Sequence, residues 1–415
     1  MSERKGRILF IGEAITLSHA ARPMALAGAL DHAGYDVHVA CDQRYSRLFD
    51  QPRFPVTPIT CSIPADRMLD VLSGRSPLFD ADTLDSYVRE DLELFQKTNP
   101  DIVVGDMRQS LAVSSRVASI PYINIINAQW SPYSNVDFEL PDNPLAHFIP
   151  EPLAQMMLSV AAPFATAYHT VPINVICLKY GVHPIHWEMK QVYSFGDYAL
   201  YPDVPEIVPS RNLPSNHRYL GPIMWSPRVD LPEWWDQLPN DRPIVYVNLG
   251  SSGNPQLLDA LLGALAEMPL HVIAATGQCS ANATAGNAYM ATYLPGAQAA
   301  ARSSLVICNG GNLSTQQALA GGAPVLGLVS NLDQLLFMKA LSRTGAGELL
   351  RDAQVNASSI KETVSRMLQQ KQYKEAADRL AGILASTDAC LTFREVVDSI
   401  LARAANNKQQ TVGSA

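Results

Sequence analysis

Residues 307–340 read ICNGGNLSTQQALAGGAPVLGLVSNLDQLLFMKA, and the order of residue types there constrains the chain more than any other stretch. An apolar, strand-like run, Leu305-Val306-Ile307-Cys308, leads into Gly310-Gly311, and the hydroxyls of Ser314 and Thr315 follow where a helix should start. That order builds an anion site. Glycines let a backbone come close to a ligand, and a helix N-terminus aims unpaired N–H groups and the positive end of its dipole at phosphate. A second apolar run at 324–328 ends in a polar loop carrying Asp333-Gln334. A phosphate cradle beside a loop rich in hydrogen-bond acceptors suits a nucleotide bearing a hydroxylated group.

The 415 residues exceed one usual core and favour two domains. Each half alternates short apolar runs with helical spacing, the pattern of an α/β, parallel, doubly wound sheet. In the first half, strands are expected at 7–12, 37–40, 101–105 and 121–126, helices at 18–32 and 82–97, and irregular chain across 41–79. In the second half, strands are expected at 244–249, 271–275, 305–308 and 324–328, a helical region at 360–385, and a last helix over 389–405. Pro214, Pro222, Pro227, Pro232, Pro239 and Pro243 crowd the middle of the chain. Proline interrupts helices and sheet ladders and stiffens connections. A linker is therefore placed at 216–242, between domains at 1–215 and 243–388, and the tail 406–415 reads as disordered.

Thirty-one Lys and Arg against 39 Asp and Glu leave a formal charge of −8, which argues against nucleic-acid binding and against a basic membrane patch. The six cysteines form no CxxC pair, and several lie in apolar runs as small hydrophobes. The N-terminus, MSERKGRILFIG, enters a short strand rather than a signal-peptide core, so a cytoplasmic location is expected. Residues 152–178 are strongly apolar. Pro163 and Pro172 interrupt them and polar residues are spread among them, so they read as buried helices without stable membrane insertion. No cluster of metal-ligand types stands out, and neither a metal nor a cofactor is expected.

Taken in chain order, SHAARPMALAGALDHAGYDVHVA, RYLGPI, VYVNLGSSG, YLPG and the 307–340 stretch resemble the UDP-glycosyltransferase superfamily in its bacterial natural-product form, along most of the chain. The resemblance implies a GT-B fold: two Rossmann-like, doubly wound domains facing across a cleft, the first for the acceptor and the second for a nucleotide sugar. It implies a final helix crossing back to the first domain. It also implies an inverting glycosyltransferase, with a UDP- or dTDP-sugar as donor.

In an open parallel sheet, ligands bind at the carboxyl ends of the strands. His19 follows the first strand and Asp106 follows the strand at 101–105, so both face one crevice. Transfer to an alcohol, phenol or amine wants a base near the reactive proton, and imidazole has a suitable pKa. A carboxylate behind it fixes the tautomer and stabilises the imidazolium. Read from residues alone, His19 is equally a helix-start histidine beside a capping Ser18, and Asp106 a polar strand end or N-cap. The resemblance puts the family's catalytic histidine at His19, with Asp106 as its partner.

Gly250, Ser251 and Ser252 form a second small-residue loop after a strand and would face the donor. The resemblance places Tyr293 and Leu294 in the base-binding region, and Gly310, Gly311, Asn312, Leu313 and Ser314 in the phosphate cradle. Asp333 and Gln334 keep the family's pair for donor-sugar hydroxyls. Two positions depart from the family. Asn309 replaces the usual histidine, and an amide donates to phosphate without adding charge. Gln317 replaces the usual acidic residue for the ribose. Both departures keep open a non-catalytic or auxiliary protein on this fold. A sugar-nucleotide epimerase is the other alternative, which the His19 segment disfavours. The acceptor is expected to be small and apolar or aromatic, lined by Trp130, Tyr133, Phe148 and Trp187 near residues 152–178.

Overall fold

The computed structural model describes residues 4–48, 52–61, 76–136, 151–227, 229–250, 253–254, 256–277 and 287–413. They form two all-parallel sheets. The first holds β1 (Arg7–Gly12), β2 (Asp36–Cys41), β3 (Val56–Pro58), β4 (Ile102–Asp106), β5 (Tyr122–Ile125), β6 (Tyr198–Tyr201) and β7 (His217–Tyr219), in the order β3-β2-β1-β4-β5-β6-β7. The second holds β8 (Ile244–Asn248), β9 (His271–Ala275), β10 (Ala288–Ala291), β11 (Leu305–Cys308), β12 (Val325–Val329) and β13 (Gly347–Arg351), in the order β10-β9-β8-β11-β12-β13. Both are doubly wound. The strand order reverses between β1 and β4 in one sheet and between β8 and β11 in the other, and a crevice opens at each reversal.

Helices cover both faces of each sheet, which is why the central strands are continuous apolar runs rather than alternating ones. In β1 the side chains from Ile8 to Ile11 are wholly buried, each contributing about 1.5–3 kcal/mol by leaving water. The helices that shape the site are α1 (Leu17–His32), α2 (Ala81–Thr98), α3 (Leu111–Ala118), α4 (Glu151–Lys179), α5 (Met189–Tyr193), α6 (Leu257–Ala266), α7 (Gly296–Ala301), α8 (Asn312–Ala320) and α9 (Leu332–Ser342). Then α10 (Ala357–Gln369), α11 (Lys371–Ala385) and α12 (Ala389–Gly413) close the chain. One apolar cluster is shared by the two domains. Ile126, Tyr201 and Val204 pack in it with Val329, Leu335 and Leu336.

The structure differs from the sequence reading in four places. β3, β6, β10 and β13 were not expected, β3 lying within the stretch 41–79 read as irregular; they are short, and all but β6 are mostly half-buried or exposed, so they carry little apolar signal. β7 lies inside the stretch expected to be linker, and it extends the first sheet to Tyr219. Residues 151–179 are one helix with Pro163 and Pro172 inside it, not an interrupted pair of buried ones. Its inner face buries Ile173, Ile176 and Cys177, while Phe164 is 75% and Leu178 67% exposed. Among the described residues, no helix is long and apolar enough to cross a membrane. Finally, α12 runs on to Gly413 through most of the tail expected to be disordered, because Ala, Arg, Lys and Gln favour helix and no proline stops it. This helix lies on the first domain. Phe393 meets Phe10 with ring centroids 5.8 Å apart, and the Tyr35 hydroxyl donates to Asp398.

Candidate active site

Each crevice receives part of one site. In the first sheet, Gly12 at the end of β1 pairs in register with Asp106 at the end of β4. A Cβ on Gly12 would stand 2.6 Å from the His19 carbonyl oxygen, so only glycine lets the first turn of α1 come this close. His19 Nδ1 then lies 2.7 Å from Asp106 Oδ1. With Nδ1–H donating to the carboxylate, Nε2 carries the lone pair. Asp106 is fully buried, and Arg22 grips it through Nε to Oδ2 at 2.7 Å and a terminal nitrogen to Oδ1 at 2.8 Å. The next residue, Met107, holds a left-handed φ of 59°. That turn separates Asp106 from Arg108, which points the other way into a buried ionic cluster. Arg108 contacts Glu13 at 3.1 Å, Asp91 at 3.2 Å and Glu90 at 2.5 Å, and lies over the Tyr87 ring. Burial pushes the Glu13 and Asp91 carboxyls up, with Arg108 opposing it.

In the second sheet, Asn248 on β8 pairs in register with Cys308 on β11, and the loops after them meet. A Cβ on Gly250 would lie 3.2 Å from the Asn309 amide nitrogen. Asn309 is buried, and its Oδ1 accepts from Gly311 N at 3.1 Å. Gly310 has a φ of +75°, and a Cβ there would sit 2.5 Å from Met338 Cγ. Glycine is thus required twice over at this position. The chain then enters α8, whose first N–H groups, those of Asn312, Leu313 and Ser314, have no partner within the helix. The positive end of the helix dipole and these N–H groups can hold a diphosphate.

The two halves touch through the carboxyl ends of β5 and β6. Asp333, in the first turn of α9, receives three hydrogen bonds on Oδ1 from the first domain. They come from Trp130 Nε1 at 2.6 Å, Gln129 Nε2 at 2.9 Å and Asn127 Nδ2 at 3.4 Å. Gln129 Nε2 also donates to Asn312 Oδ1 at 2.9 Å, whereas its buried Oε1 finds no partner among the described residues. Asp203, just past β6, is fully buried and accepts from Ala128 N at 2.7 Å, Asn312 Nδ2 at 2.7 Å and Gln316 Nε2 at 2.8 Å. Burial pushes its carboxyl up to about 6, against the hydrogen bonds from Ala128 and Asn312.

The residues singled out from sequence fall as follows. His19 and Asp106 are brought together. Asn309, Gly310, Gly311, Asn312, Leu313 and Ser314 form one loop and helix start, with Gly250 against it. Asp333 faces the first domain, but Gln334 turns back, its Oε1 accepting from Ser330 N at 2.9 Å. Gln317 is buried and donates to the Trp225 carbonyl and to Ser226 Oγ. Leu294 is core and Tyr293 half-buried. Trp130 is buried between Asp333 and Tyr193, with ring centroids 5.0 Å apart. Tyr133 packs edge-on against His217. Trp187 is exposed beyond the end of α4. Phe148, Ser251 and Ser252 lie outside the described residues. Among the described residues no group of three or more His, Cys, Asp or Glu could hold a metal.

Sequence reading missed Arg22, Asn127, Gln129, Asp203 and Gln316. The rule that selected Asp106, a polar residue just past an apolar strand, also fits Asn127, Gln129 and Asp203. Arg22 stands one helical turn after His19 in an otherwise apolar stretch, which was a usable signal.

Two all-parallel, doubly wound sheets with flanking helices, whose strand carboxyl ends face one another, are the GT-B architecture of glycosyltransferases. Residues 256–402 match the family described as Erythromycin biosynthesis protein CIII-like, C-terminal domain. A PGL/p-HBAD biosynthesis glycosyltransferase of Mycobacterium tuberculosis is 46% identical over 379 residues, which cover 91% of this chain and 88% of that protein. A PGL/p-HBAD biosynthesis rhamnosyltransferase of Mycobacterium bovis is 45% identical over 383 residues, covering 92% and 85%. A Streptomyces glycosyltransferase solved in complex with thymidine diphosphate is similar in fold, with a TM-score of 0.65 at 17% identity, covering 94% of this chain and 99% of that one. The chain belongs to the bacterial natural-product glycosyltransferase family that these mycobacterial proteins represent.

Proposed function

We propose that this glycosyltransferase is an inverting enzyme that moves a sugar from a UDP- or dTDP-sugar to a small apolar or aromatic acceptor, with His19 as general base. The carrying observation is the His19–Asp106 contact at the first crevice, opposite the Asp333 carboxylate and the α8 N-terminus of the second. His19 Nε2 takes the proton of the acceptor nucleophile, which attacks the anomeric carbon as the bond to the diphosphate breaks. The N–H groups and dipole of α8 stabilise the charge that develops on the leaving diphosphate. Asp106 stabilises the imidazolium. Asp333 accepts donor-sugar hydroxyls, with Trp130 and Gln129 closing the sugar pocket from the first domain. Trp130, Tyr133 and Phe148 remain the proposed acceptor side. A rhamnosyl donor is favoured by the rhamnosyltransferase relative, and a dTDP carrier by the thymidine diphosphate complex. No metal or cofactor takes part in this scheme.

A non-catalytic reading keeps one observation in its favour. The Gln317 amide is engaged by Trp225 and Ser226, where the family uses an acidic residue for the ribose. Calorimetric titration with UDP, dTDP, GDP and ADP decides between the two. Selective binding of UDP or dTDP is expected, with Asn309→His tightening it by adding a charge-assisted contact. Folded protein that binds none of the four would overturn the transferase reading. For inversion, the test is the anomer formed, read by NMR from a donor of known configuration.

A further inference from the structure

We infer that Arg22 is a positioning residue for the transfer reaction, joining the His19–Asp106 dyad to Asp333 through Asn127. The inference rests on the proposed role of His19 as base. Arg22 is only 4% exposed, and all three of its guanidinium nitrogens are placed. Two hold the Asp106 oxygens, and the third donates to Asn127 Oδ1 at 2.5 Å. A guanidinium fork on a carboxylate fixes its plane as well as its position. The Asn127 amide nitrogen stands 3.4 Å from Asp333 Oδ1. The path His19–Asp106–Arg22–Asn127–Asp333 therefore crosses the cleft contact by contact.

The chemistry at its near end is a choice of tautomer. His19 Nδ1 lies 2.7 Å from Asp106 Oδ1 and 2.8 Å from a terminal nitrogen of Arg22. It cannot donate to the carboxylate and accept from the guanidinium at once. Donation to Asp106 leaves Nε2 free to take a proton; acceptance from Arg22 puts the hydrogen on Nε2 and disables the base. By directing its N–H groups onto both Asp106 oxygens, Arg22 keeps the carboxylate aligned with Nδ1. Of the other charged groups nearby, Glu13, past the end of β1, pairs with Arg108, the buried Asp203 also lies in the field of Arg22 and of Asp333, and Asp333 contacts Asn127. At the far end, a sugar hydroxyl on Asp333 competes with the Asn127 amide, and the displaced amide moves its partner Arg22. Donor binding and base alignment become one equilibrium.

The test is long-range ¹H–¹⁵N spectroscopy of histidine-labelled protein, with the His19 resonances assigned by their loss in His19→Gln. The wild type is expected to show the Nδ1–H tautomer, and dTDP-rhamnose or UDP-glucose to displace the His19 resonances more than dTDP or UDP alone. Arg22→Gln should lower the share of the Nδ1–H tautomer and abolish the sugar response. Asn127→Ala should abolish the sugar response and keep the Nδ1–H tautomer. With 4-nitrophenol as the probe acceptor, Arg22→Gln should lower kcat about 10- to 100-fold, and Arg22→Lys should recover part. If Arg22→Gln fails to fold, Arg22→Lys and Asn127→Ala carry the test. A wild-type sugar response in the folded variants would overturn the inference, as would a wild-type tautomer in Arg22→Gln. Full turnover by His19→Gln would instead sink the base assignment, and the ring spectra would still decide the coupling.

Discussion

Asn312, the first residue of α8, donates its side-chain amide to Asp203 at the end of the first sheet, 2.7 Å away, and Gln316 one turn later donates to the same oxygen at 2.8 Å. The helix proposed to hold the diphosphate is therefore tied by its own side chains to the first domain. A single buried carboxylate of the first domain orients the start of that helix.

That carboxylate predicts a pH signature. Burial raises Asp203 from 3.8 to about 6 in the folded chain. Between those values the folded state holds a proton that the unfolded state has released. Its stabilising contribution is complete below about pH 3.8 and is lost as pH rises through about 6. Asp203→Asn removes this dependence. Across that window the stability difference between variant and wild type should shift toward the variant by up to roughly 3 kcal/mol. Denaturation curves at several pH values check it; a difference that stays constant with pH would sink the prediction.

Gly310→Ala should remove diphosphate binding. The substitution forces a side chain into a left-handed backbone and against Met338. The loop must shift, and the N–H groups behind it lose their aim. We expect dTDP or UDP affinity to fall at least about tenfold, with a stability loss of about 1–3 kcal/mol. Calorimetry and thermal melting measure the two effects separately, and unchanged affinity would show that the cradle lies elsewhere.

Gln129 separates sugar from nucleotide. Its amide nitrogen serves both Asp333 and Asn312. Gln129→Leu takes one donor from the Asp333 carboxylate, a hydrogen bond to charge that typically contributes about 1.5–3 kcal/mol. The donor KM should rise about tenfold or more, while affinity for the free nucleoside diphosphate stays within about twofold. Equal losses for both ligands would mean that Gln129 does not act at the sugar.

Arg108→Leu tests the ionic cluster beneath the site. The substitution removes the cation shared by the buried Glu13 and Asp91. Taking one partner from a buried pair costs about 3–5 kcal/mol. Chemical denaturation should show that loss, and a change below about 1 kcal/mol would place the cluster in water after all.

The alternation of apolar runs and helices, the glycine pair before α8 and the polar ends of β1 and β4 were legible in the chain itself. They rest on local physics: an apolar run buried on both faces, a glycine where no Cβ fits, a helix start with unpaired N–H groups. The sequence by itself thus determined a doubly wound two-domain protein, the glycine turn into α8, and His19 with Asp106 at one crevice. It did not determine β7, whose three residues sit among prolines, or the run of α12 past Ala405. Nor did it determine that Asn127, Gln129, Trp130 and Asp203 would meet Asp333 and Asn312. Those pairs lie roughly 100 to 200 positions apart in the chain. No periodicity or local motif encodes a contact at such separation. Only the docking of the two domains brings one sheet's carboxyl ends against the other's helix starts, and burial there makes most polar groups find a partner, Gln129 Oε1 being left without one among the described residues.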